Sequence, residues 1–129
     1  MPTISQYYGS LRDTSISGVT NLDNIPAQIS TAILPCKYIR YQGSQIQIST
    51  LTNTLGLPTY NYDIVIVIEP VLQNTNIANQ TLCMEIAEYL ESYFESIDDI
   101  LTVNIAFEIN IFSNVPFWTL ITEIEILGG

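Results

Sequence analysis

Carboxylates are the only plentiful source of chemistry in this chain: thirteen Asp and Glu stand against three Lys and Arg, with no histidine. General acid/base catalysis needs two positioned carboxylates whose surroundings separate their pKa values. Glu123 and Glu125 share one face of a strand pattern, Glu108 lies in the strand pattern before it, and Asp98 and Asp99 are adjacent. None of these comes with a Gly-rich loop, a basic substrate clamp or a histidine, so they read as solvated surface acids. Cys36 and Cys83 lack a base for nucleophilic catalysis and the paired spacing of a zinc site. They are expected as reduced thiols in or near the core. The stretch from Asn74 to Glu85 has the length and final acid of a calcium loop but no central Gly and no Asp. Asn79-Gln80-Thr81 fits the glycosylation pattern, which is incidental without an export signal. The chain reads as a non-enzyme without cofactor or metal; the enzyme rival is a small carboxylate-dependent hydrolase using Glu123, Glu125 and Glu108.

Such side chains need a scaffold, and 129 residues with 47% hydrophobic content imply one compact domain, residues 1–129. The start after Met1 is neither basic nor apolar, so no export signal is read there. The longest aliphatic stretch, Ile64 to Ile68, is five residues, against the roughly 20 needed to span a membrane. A soluble, cytosolic protein without membrane contact is expected. Net charge is −10, and its distribution is one-sided. Arg12, Lys37 and Arg40 are the only cations; from Tyr41 onward there are eleven carboxylates and no Lys or Arg. Gripping phosphate requires cations, so a tight hold on nucleic acid or an anionic membrane is disfavoured.

The periodicities predict an α+β fold: an antiparallel or mixed sheet of four to five strands, one long amphipathic helix packed on one face, and a short N-terminal helix. That short helix falls in residues 2–12, with Ile4, Tyr7, Tyr8 and Leu11 at helical spacing. Residues 13–35 read as an irregular crossing pinned by Val19, Leu22, Ile25 and Ile29, with Pro26 and Pro35 holding it extended. Residues 36–50 read as a hairpin turning at Gly43-Ser44, and Thr50 to Asn61 as a projecting loop. Residues 62–70 form a β-branched run expected as a central strand buried on both faces. Residues 77–97 place Leu82, Ile86, Leu90, Phe94 and Ile97 on one helical stripe, with Glu85, Glu88, Glu91 and Glu95 largely opposite as an acidic surface. Residues 102–111 and 117–127 alternate as two closing strands around the turn "SNVP".

These closing strands carry no lysine, and only Glu108, Glu123 and Glu125 interrupt their apolar alternation. Exposed edges of that kind template association. The expectation is therefore an edge covered within the domain or paired in a homo-oligomer, the latter favoured because Phe117, Ile121 and Ala106 add apolar area to the second face. Tyr60 and Tyr62 fit either interface anchors or strand-end packing, so Tyr60, Tyr62, Phe117 and Ile121 are the candidate interface residues.

In this order of elements the sequence resembles the tail terminator, or neck (head-tail joining), proteins of tailed bacteriophages. The matching residues are Gly18-Val19, Asn21, Pro26, Leu34-Pro35, the run Tyr62 to Glu69, the helix Ile77 to Ile97 and Trp118. The resemblance implies a structural virion protein, assembled in the host cytoplasm, that forms a hexameric ring. The ring would cap the tail tube protein and join it to the head connector or stopper protein, with double-stranded DNA passing through without specific binding. The helix acids would then face or flank an acidic channel. Other readings are a different head-tail joining, minor tail or baseplate protein and, from another class, a small monomeric binding module.

Overall fold

The computed structural model describes residues 3–16, 18–30, 33–46, 58–71, 76–95 and 100–128, the side chains of 76–80 excepted. Helix α1 (Ile4–Asp13) is followed by strands β1 (Thr20–Asn21), β2 (Cys36–Gln45) and β3 (Thr59–Pro70). Helix α2 (Asn76–Glu95) then precedes strands β4 (Ile100–Phe112) and β5 (Val115–Leu127). The fold is α+β, and the described residues form a five-stranded mixed sheet in the order β1-β2-β3-β5-β4 and two helices. Among the described residues only the short β1–β2 pairing is parallel.

α1 begins with a capping box. Gln6 N–H donates to Thr3 Oγ1, and Thr3 N–H donates to Gln6 Oε1, so two donors of the first turn are satisfied reciprocally. Leu11 is the fully buried residue of the helix. α2 contributes Cys83, Ile86, Leu90 and Phe94 to the same core cluster, together with Ile39, Ile64, Ile66, Ile68, Leu120, Ile124 and Ile126. Both helices therefore lie on one face of the sheet. Ile97, the last member of the expected stripe, lies outside the described residues.

β3 is central, between β2 and β5. Its alternation sends Ile64, Ile66 and Ile68 into the helix-side core and Val65 and Val67 into a second cluster with Cys36, Tyr38, Phe117 and Ile121. Burial on both faces is why the segment is apolar without alternation. The second cluster is covered from within the chain by Leu22, Ile29, Ile33 and Leu34 of the crossing segment, which approaches β2 through a cis Leu34–Pro35 bond. Thr20 N–H donates to Pro35 O at 2.9 Å and Leu22 N–H to Lys37 O at 2.8 Å, tying the crossing to β2. Ile25, expected as a pin, is exposed instead.

The structure corrects the expected hairpin of residues 36–50. β2 continues through Gly43-Ser44 as one strand paired to β3, and the register slips between Tyr41 and Gly43. Gly43, at φ +133°, makes a bulge rather than a turn. Residues 47–57, which hold most of the expected projecting loop and second hairpin strand, lie outside the described residues, while Thr59, Tyr60 and Asn61 belong to β3.

The expected turn between the closing strands contracts to two residues. Ser113 and Asn114, at φ +50° and +67°, join β4 to β5, and Val115 and Pro116 already belong to β5. Two consecutive left-handed residues suit Asn-Gly far better than Ser-Asn. Ser113→Asn combined with Asn114→Gly is expected to raise stability by about 0.5–1 kcal/mol, read as an increased urea midpoint at unchanged slope.

Candidate interaction surface

β4 is the outermost strand of the sheet and pairs along its inner edge with β5 from Ile100 to Phe112. Among the described residues no strand pairs with its outer edge. This thirteen-residue edge carries one charged residue, Glu108. Its helix-side face holds Val103, Ile105, Phe107, Ile109 and Ile111, and all but Ile105 are exposed, Ile109 at 49% and Ile111 at 69%. α2 reaches this strand near Ile100 and Ile105, which are half-buried against the core, and leaves the other apolar side chains of this face exposed. Met84, 58% exposed, stands at the margin of a recess of about 270 Å³ lined by Cys83, Ala87, Ile105, Phe107 and Leu120. Phe107 stacks on Trp118 at a centroid distance of 4.9 Å. Thr119 Oγ1 donates to Glu108 O at 2.9 Å and accepts from Asn110 Nδ2 at 2.6 Å, which fixes β4 against its neighbour. An exposed flat edge with large apolar side chains is a template for pairing with another strand.

The other face of the sheet divides in two. Near the crossing segment it is apolar and covered; toward the opposite end it is polar and open. The strand register sets Arg40, Asp63, Glu123 and Asn104 in one row across four strands, and Asn61, Glu125 and Thr102 in the next row but one. All of these but Glu125 line a shallow concavity of about 480 Å³. Asp63 is buried, and its Oδ2 accepts from Arg40 Nη2 at 2.7 Å, Arg40 Nε at 3.2 Å and Gln42 Nε2 at 2.7 Å. A carboxylate in an otherwise apolar central strand needs such partners to offset its desolvation. Glu123, directly opposite Asp63, is exposed and accepts a long contact of 3.5 Å from Asn104 Nδ2. The structure thus gathers Glu123 and Glu125 on one polar face beside Asp63. Glu108 is on the same face, further along β4. No group of three His, Cys, Asp or Glu that could hold a metal occurs among the described residues.

The remaining expected site residues separate. Glu85, Glu88, Glu91 and Glu95 are all exposed on α2. Tyr62, Phe117 and Ile121, expected as interface residues, are buried within the chain and are not available as exposed anchors. Tyr62 is fully buried, and its hydroxyl donates to Ile4 O at 2.6 Å, tying β3 to the start of α1. Burial pushes that phenol up to about 12. Tyr60 is half-buried and meets Tyr7 edge-on at 6.0 Å. Strand-end packing accounts for both tyrosines. Phe117 and Ile121 point away from the helices, as their parity requires, but the crossing segment covers that part of the face.

Each of the three cations is engaged. Arg12 pairs with Asp13 at 3.1 Å and Arg40 with Asp63 at 2.7 Å. Lys37 is buried beneath the end of α1, where its Nζ donates to the carbonyls of Leu11 at 2.9 Å, Arg12 at 3.4 Å and Thr14. It adds a charged donor to the carbonyls at the C-terminus of α1, where Leu11 O also accepts from Thr14 N–H at 3.4 Å, and its charge is favoured by the helix dipole. Burial lowers its pKa to about 8, while the charge of Asp13 acts in the opposite direction. The alternation that groups Lys37 with Ile39 and Tyr41 already places it on the core-facing side, so its burial had a sequence signal. Met84 and the outward exposure of β4 had none, because both depend on how far α2 reaches across the sheet.

No family model and no curated protein matches the chain in sequence. No described helix is long and apolar enough to cross a membrane.

Proposed function

We propose that the protein is a non-enzymatic structural component of a tailed-phage particle, a tail terminator that assembles as a ring of six copies and caps the tail tube beneath the head connector. The observation that carries this reading is the thirteen-residue edge of β4, open among the described residues, with its exposed Phe107, Ile109 and Ile111. A closed ring pairs such edges between subunits and leaves none free.

The charge supports the second half of the reading. All three cations are engaged within the chain, while Glu85, Glu88, Glu91 and Glu95 are exposed. A surface of that kind repels a phosphate backbone and lets DNA pass without holding it. In this reading the long amphipathic helix α2 lies on one face of the sheet and turns its acids toward the channel or its rim.

Light scattering across a range of protein and salt concentrations tests the assembly. The expected mass is close to six times that of the 14.4 kDa chain, with a central hole in negative-stain images. A monomer throughout, with no rings in the images, overturns the reading and leaves a monomeric binding module or a hydrolase built on Glu123 and Glu125 in its place.

A further inference from the structure

We infer that the ring is closed head to tail, by pairing of the outer edge of β4 in one copy with the outer edge of β2 in the next. This rests on the assembly proposed above and names the surfaces that would form it.

The sheet has two edges, and both are open among the described residues. At one end is β4. At the other, β1 covers only Cys36 and Lys37 of β2, so residues 38–45 have no strand partner on their outer side. Tyr41 and Ile46 are exposed along or just beyond this stretch. The four long strands alternate in direction, so β4 runs opposite to β2. A copy rotated about an axis along the strands therefore brings its β2 antiparallel to β4 and keeps its helices on the same side as those of its neighbour. That relation repeats around a ring, whereas a two-fold pairing of β4 with β4 ends at a dimer.

Charge discriminates between these two modes. Arg40, with its side chain 39% exposed, stands on β2 on the face opposite the helices. Glu108, on β4, lies on that same face and is exposed, and Glu123 follows on β5. Head-to-tail pairing brings Glu108 against a strand that carries no carboxylate and whose Arg40 is already paired with Asp63. Two-fold pairing of β4 would set acidic edge against acidic edge, with no cation on either side. The occupant of the β4 edge is thus a second copy of this chain, presented by its opposite edge.

Two blocked variants test this in combination. Ile109→Lys with Ile111→Lys places charge on the β4 edge, and Tyr41→Lys with Ile46→Lys places it on the β2 edge. Edge lysines oppose strand addition. Circular dichroism and melting establish that each is folded; if the second fails to fold, Gln45→Lys with Ile46→Lys replaces it. Each variant alone is expected to be monomeric, and an equimolar mixture is expected to give a one-to-one dimer at twice the chain mass, because each supplies the intact edge that the other lacks. If the variant blocked at β2 still dimerises alone while the β4 variant does not, the pairing is two-fold and the inference falls. If wild type forms rings and both blocked variants keep the wild-type mass, the ring stands and these edges do not make it. If wild type is monomeric throughout, the assembly itself is wrong and the inference falls with it.

Discussion

Leu90→Ala lowers the unfolding free energy by about 2–5 kcal/mol, read by urea denaturation with an unchanged slope. Leu90 is 1% exposed and stands in the core cluster with Cys83, Ile86 and Phe94 of α2 and with the helix-side residues of β3 and β5. Among the described residues α2 joins that cluster through few fully buried side chains, and removing one leaves a cavity that the rigid sheet beneath cannot close. Against a total stability of about 5–15 kcal/mol for a domain of this size, the loss is large enough to shift the midpoint well outside error. Glu88→Ala, on the exposed side of the same helix, stays within about 0.5 kcal/mol of wild type. A Leu90→Ala loss below about 1 kcal/mol, smaller than any in the range for such truncations, would mean that α2 does not close the core.

Lys37→Met is expected to cost about 2–3 kcal/mol. Three carbonyls at the end of α1, those of Leu11, Arg12 and Thr14, lose a charged donor, although Leu11 O keeps Thr14 N–H and Thr14 O keeps Asn21 Nδ2, each at 3.4 Å; a hydrogen bond to a charged group contributes roughly 1.5–3 kcal/mol. Relief of the buried ammonium acts the other way. Its pKa falls from 10.5 to about 8, a difference worth about 3 kcal/mol, so the lost hydrogen bonds prevail by a small margin. The same substitution alters the pH profile. The folded chain releases this proton near pH 8 and the unfolded chain retains it to 10.5, so the Lys37 contribution rises with pH across that window. Cys36 and Cys83 act in the opposite sense. Burial raises both thiols from 9.0 to about 11, so the stability they contribute is complete below pH 9 and is lost as pH rises toward 11. Wild type should therefore gain stability from pH 8 to 9 and lose it above. Lys37→Met should lack the gain and keep the loss, and a wild-type melting temperature that falls steadily from pH 8 would contradict the assignment.

What local pattern can specify was specified well. The unbroken β-branched run from Ile64 to Ile68 announced a strand buried on both faces, since only such a strand has no wet side for polar residues. The 3.6-residue stripe through Ile86, Leu90 and Phe94 announced the buried side of α2, and the parity of the closing strands separated Phe107 and Ile109 from Glu108. Periodicity reports which side chains share a face, and it does so whatever lies against that face. For the same reason it could not tell which face is covered. Phe117 and Ile121 were legible as a second apolar face, but the crossing segment that buries them is distant in sequence, and this turned expected interface residues into core.

Gly43 shows the same limit at a single residue. A positive φ serves a hairpin turn and a bulge equally, and only the pairing of Tyr60 and Asn61 with Ser44 and Gly43 decides for the bulge. Lys37 and Asp63 are charges whose position inside the fold follows from alternation, while their partners, the end of α1 and Arg40, lie 23 to 26 residues away in the chain. The sequence by itself determined the faces, most of the elements and the scarcity of cations. The tertiary structure decided the strand order, and with it which strand became the edge. Strand order follows from long-range pairing among segments of nearly equal apolar character, so composition cannot rank the alternatives. Placing β5 inside and β4 outside leaves Phe107, Ile109 and Ile111 facing solvent.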